Sequence, residues 1–176
     1  MFEKDEYTRT KAREIFRKLS LDPVMLTFFE ELSYSLLMRK SVLEMSDILD
    51  DQETNTIEPA NNGGLMYILY PIFEQGYIII DANKDTEGFF TVNDNYFVFR
   101  SNCDGLSVSK FNKDDVEDFV TVTKGFGDIM EMENTPGFKA DDEWNLSRTD
   151  KEFDKKFNKL ILDILGGDQK VKVKTR

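Results

Sequence analysis

The sequence predicts an α+β fold: a single domain with N-terminal helices, a central antiparallel meander of three to five strands, and C-terminal helices. Three observations carry this. Aromatic and β-branched residues come in short runs: Tyr77-Ile78-Ile79-Ile80, Phe89-Phe90-Thr91-Val92, Tyr96-Phe97-Val98-Phe99 and Leu106-Ser107-Val108-Ser109. Such runs read as strands. They are separated by Asn83-Lys84-Asp85, Asn93-Asp94-Asn95 and Asn102-Cys103-Asp104-Gly105. Asn, Asp and Gly tolerate the positive φ of tight hairpins. The flanking sequence, third, has apolar residues at helical spacing.

Residues 3–19 read as an amphipathic helix, with Thr8, Ala12, Ile15, Phe16 and Leu19 on one face. Ser20-Leu21-Asp22-Pro23 is a junction, where Asp22 suits a helix cap and Pro23 a first helical position. A broad apolar surface from Met25 to Ile48 predicts a central helix over 23–49. Residues 50–63 read as a polar loop, and 65–70 as a strand that stops before Pro71. A buried helix over 64–75 is the alternative for that stretch.

After the meander, Asn112-Lys113-Asp114-Asp115 predicts a capped helix, with Val116, Phe119 and Val120 inward and Gly125-Phe126-Gly127 as its stop. Pro136-Gly137 marks a turn. Thr149-Asp150-Lys151-Glu152 has the form of a capping box. Phe153, Phe157, Leu160, Ile161 and Ile164 then repeat at helical spacing up to Gly166-Gly167. Residues 168–176 read as a flexible basic tail or an edge strand.

With 176 residues, 40% of them hydrophobic and 15 of them Phe, the chain can bury a sizeable core. No apolar run approaches the roughly 20 residues of a membrane span. The start has no secretory-type apolar segment, and Cys103 is the only cysteine. The expected location is cytoplasmic. The chain has no histidine, which excludes imidazole acid–base chemistry, Ser-His-Asp and Cys-His nucleophiles and imidazole metal sites. Asp81, Asn83 and Asp85 resemble the start of a calcium loop, but Thr86 stands where that loop needs Gly and Val92 where it needs Glu. Neither a cofactor nor a metal is expected.

Charge is the remaining signal. The net charge is −11. Residues 21–149 hold nine bases and twenty-five acids, whereas both ends are net basic. An acidic body repels phosphates and attracts basic protein surfaces. Three groups are candidate partner contacts: Asp47, Asp50, Asp51 and Glu53; Asp114, Asp115, Glu117 and Asp118; and Asp141, Asp142 and Glu143 with Trp144. Acids of the first group, at a helix C-terminus, oppose the helix dipole. Trp144, the single tryptophan, would be an anchor.

The expectation is a non-enzymatic protein-binding module or inhibitor of phage or mobile-element type. It would mimic nucleic acid by docking carboxylates on the basic surface of a nucleic-acid-binding protein. The alternatives are an assembly subunit of a larger complex or virion, in which acidity serves only solubility, and a carboxylate enzyme with a divalent cation.

Overall fold

The computed structural model describes residues 9–10, 12–14, 16–19, 21–41, 43, 57–59, 65–68, 73, 75–124 and 126–166. A seven-stranded antiparallel sheet runs through the molecule in chain order, each strand paired with the next. Its strands are β1 (Ile57–Pro59), β2 (Leu65–Ile68), β3 (Gly76–Ile80), β4 (Thr86–Val92), β5 (Asn95–Ser101), β6 (Gly105–Asn112) and β7 (Asp142–Ser147). Helical residues within 9–17 form α1. The helices whose bounds are described are α2 (Pro23–Leu37), α3 (Lys113–Thr123) and α4 (Phe153–Leu165). A 3-10 segment, Phe126–Asn134, follows α3.

The predicted meander is β3 to β6, and its turns close as their residues require. Asn93 and Asp94 both have positive φ, the backbone of a type I′ hairpin. Asp81 Oδ1 accepts the amides of Asn83 and Asp85. Asn102 Oδ1 accepts those of Asp104 and Gly105. Within the run read as a strand over 65–70, Leu65–Ile68 form β2, and residues 69–70 lie outside the described residues. Two strands lie beyond the predicted set. β1 is inside the stretch read as a loop, and its Pro59 is admissible only because the strand is at the sheet edge. In β7, polar outward residues hide the alternation of Trp144 and Leu146.

Layers lie on both faces of this sheet. On face one, α1, α2 and α4 pack over Ile78, Ile80, Phe90, Val92, Phe97, Phe99, Leu106, Val108 and Leu146. Phe29 is the hub: its ring centroid is 5.3–6.1 Å from those of Phe16, Phe28, Phe73, Phe90 and Phe99. On face two, α3 and the 3-10 segment cover Phe89, Tyr96, Val98 and Phe111 with Val116, Phe119, Ile129, Met130 and Met132. The double cover explains why β4 and β5 read as unbroken apolar runs: both of their faces are buried. Gly88 has no room for a side chain, since a Cβ would overlap the Tyr77 carbonyl and touch the Phe99 ring.

The helix ends refine the sequence reading. Asp22 Oδ1 caps α2 through the amides of Val24 and Met25, with Pro23 as first residue. The same carboxylate accepts Ser101 Oγ and meets Arg148 at 3.1 Å, while Arg148 Nε donates to the Asn102 carbonyl at 2.6 Å. This group of side chains ties the start of α2 to the β5–β6 turn and to the exit of β7.

The helix predicted over 23–49 stops at Leu37. Beyond it the amides of Arg39 and Lys40 turn back to the carbonyls of Leu36 and Leu37, a tighter i→i+3 closure. Leu43, expected on the apolar face, is 80% exposed. Asn112 caps α3 as predicted. Lys124, in the left-handed conformation at φ 61°, terminates it before the glycines. The capping box at 149–152 does not form. Glu152 holds the cap position without a side-chain bond, because Asp150 instead accepts the Glu152 amide and pairs with Lys156.

Among the described residues, no helix is long and apolar enough to cross a membrane.

Candidate docking surface

The acidic side chains are positioned by how α3 and β7 meet the sheet. At the start of α3, Asn112 Oδ1 accepts the Asp115 amide at 2.9 Å, and Asn112 Nδ2 donates to Asp115 Oδ2 at 2.9 Å. Capping therefore uses Asp115, which is half-buried. Val116 and Phe119 turn into the sheet, which leaves Asp114, Glu117 and Asp118 exposed on the outer side. Lys113 approaches Glu117 at 3.9 Å, with both side chains more than half exposed, so the pair contributes little.

The third predicted group begins where the Asp141 amide donates to the Lys110 carbonyl at 2.7 Å. Lys110 is three residues before α3, and Phe138 stacks edge-on against Phe119 at 5.2 Å. The second and third groups therefore share one end of the sheet. Within the third group the strand alternation separates the side chains. Glu143 lies opposite Ser109, toward face two, whereas Asp142 and Trp144 point to face one. Asp142 there helps to raise the pKa of Lys159 on α4, after the larger effect of the Lys159–Asp163 pair.

Trp144 does not join the acids. Its ring packs at 6.5 Å from Phe97, and Nε1 donates to Asp163 at 3.2 Å. The first group, Asp47, Asp50, Asp51 and Glu53, lies outside the described residues.

The two covering layers differ in charge. The described residues of segments 9–41 and 148–166, over face one, include eleven bases and eight acids, a balance of +3. The described side chains of segment 113–141, over face two, include three lysines and seven acids, a balance of −4. Asp114, Glu117, Asp118, Glu131, Asp141 and Glu143 are all exposed on or beside that second layer.

Arg100 escaped the sequence reading, since one arginine among β-formers carries no signal. On face two, its Nη1 donates to Glu133 at 3.2 Å and its Nη2 to the Met130 carbonyl at 2.8 Å, and its Nε lies 3.6 Å from Glu87. It thereby fastens the 3-10 segment to the sheet. The pairing Glu87–Arg100–Ser107–Asn145 makes a polar row across β4 to β7. Clefts of about 270 Å³ and 380 Å³ flank it. Burial raises the pKa of Glu133, and nearby Glu143 adds to the rise; Arg100 and the Ser109 hydroxyl oppose it. Two carboxylates already surround Arg100, so it is no free anion receptor. Among the described residues, no group of three or more Cys, Asp and Glu is placed to hold a metal ion.

No family model matches the chain, and neither a curated protein nor a solved structure matches it.

Proposed function

We propose that this chain is a non-enzymatic acidic binding module that docks the carboxylates over face two on a basic surface of a nucleic-acid-binding protein. One observation carries the reading: the described side chains covering face two are net −4 while those covering face one are net +3. Acidity needed only for solubility has no reason to prefer one layer. Carboxylates exposed on a helix and on the adjoining strand present fixed negative charge, as phosphates do, and steer a cationic partner. A role as inhibitor by nucleic-acid mimicry follows from the kind of surface such charge would occupy.

The test is capture from a cell lysate at low salt, with the native chain beside a variant carrying Asp114→Asn, Glu117→Gln, Asp118→Asn, Asp141→Asn and Glu143→Gln. The expected catch is rich in nucleic-acid-binding proteins, is released by duplex DNA or by raised salt, and is lost in the variant while its circular dichroism is unchanged. Equal capture by both proteins, or capture indifferent to DNA, contradicts the proposal.

A further inference from the structure

Among the described residues the sheet closes on neither side, and the edge next to the acidic layer is β7. Its backbone orientation follows from two bonds. The Asn102 amide donates to the Gly105 carbonyl, so the odd residues of β6 bond β5 and its even residues bond β7. The Arg148 amide accordingly donates to the Asp104 carbonyl, in step with the register of Leu106 with Leu146 and Val108 with Trp144. The N–H and C=O groups of Glu143 and Asn145 and the N–H of Ser147 therefore point away from the sheet, whereas the Ser147 carbonyl accepts the Asp150 amide at 3.1 Å. Among the described residues no strand pairs with them, and all three residues are exposed.

The two sides of this edge differ. Toward face two stand Glu143, Asn145 and Ser147, with Asp141 at the strand's start; toward face one stand Asp142, Trp144 and Leu146. Acids at an edge repel another copy of the same edge. They attract an extended segment whose own side chains are cationic.

We propose that the outer edge of β7 receives a basic, extended segment of the partner protein as an eighth strand, with its alternate lysines or arginines on the face-two side, beside Asp141 and Glu143. This rests on the acidic-docking reading and specifies how one part of the partner binds. Main-chain bonds to Glu143, to Asn145 and to the Ser147 amide would supply affinity, and alternate basic side chains would supply register.

The probe is a blocked seven-residue peptide of alternating Lys and Thr, titrated into the full-length chain at low salt and followed by amide NMR shifts. A peptide of alternating Glu and Thr is the control. The expected result is a set of shifts centred on the amides of Glu143, Asn145 and Ser147, and slower hydrogen exchange there. The Glu peptide should give none. Asp141→Lys with Glu143→Lys should weaken the Lys peptide by about tenfold or more, since two attractions on the face-two side become repulsions. Because the charge reversal could disturb the strand, Asn145 N-methylated by chemical synthesis gives a second variant: it keeps every charge and removes one outward donor, and it should also weaken binding.

Shifts confined to α3, with β7 silent, overturn the edge proposal and leave acidic docking intact. Absence of binding anywhere on the chain, including α3, counts against both. Binding that survives both variants overturns the edge proposal alone.

Discussion

The two faces of the sheet are built for different ends. Face one buries a continuous aromatic cluster around Phe29 under three helices. Face two buries a smaller cluster under one helix and a 3-10 segment, and then gives way to a polar row centred on Arg100. Face one is held chiefly by ring packing, with ion pairs such as Asp22–Arg148 at its margin, and its cover is slightly basic. Face two is held in part by ion pairs and its cover is acidic. The contrast teaches that stability and surface chemistry are divided between opposite sides of one sheet. Changes on face one should therefore act on folding, and changes on face two on charge and local order.

The largest effect expected is from Phe29→Ala. It removes a fully buried ring that touches five others and opens a cavity among them. A loss of about 3–5 kcal/mol in urea unfolding is expected. A loss below about 1 kcal/mol, the scale of an exposed substitution, would mean that the aromatic cluster is not the chief support.

Arg100→Met should cost less, about 1–2 kcal/mol, because it strips a half-exposed clamp and leaves Glu133 without its cation. Its signature is local: faster amide exchange at Ile129, Met130 and Met132, with Phe28 and Phe29 of α2 unchanged. Uniformly faster exchange in both layers would dissolve the distinction between the faces.

The smallest effect is the pH dependence of Glu133→Gln. Burial holds the native pKa of Glu133 above its unfolded value. The native state thus binds the proton more tightly than the unfolded state does. The stabilisation from protonation is fully present below the unfolded pKa and is lost as pH rises through the native one. The native chain should therefore gain stability relative to the glutamine variant as pH falls from neutral through the weakly acid range. A gap that widens in the opposite direction would show that the pairing with Arg100 outweighs burial.

Much of this architecture was legible in residue types, and the exceptions have physical causes. The strands β3 to β6 and their Asn- and Asp-rich turns follow from local preference, as do the caps at Asp22 and Asn112. The end of α2 was not legible, because no Gly or Pro interrupts Leu37-Met38-Arg39-Lys40 and apolar residues resume beyond it. The failed capping box reflects a choice between two acceptors, Thr149 and Asp150, that only the surrounding chain decides. For the surface, the identity of the acids was plain in the sequence. Which of them share a layer depends on the meander and on the alternation along β7, which separates Asp142 and Trp144 from Glu143. Arg100 gains its importance only from Glu87, Met130 and Glu133, three positions far apart in the chain.

The division of charge can be measured residue by residue. Paramagnetic broadening of amide-proton signals by a cationic nitroxide, compared with an anionic one of the same shape, reports the local potential. A strongly negative potential along 113–123 and at Asp141 and Glu143, with a near-zero or positive one along 153–165, is the predicted result. The same potential over both layers would contradict the account.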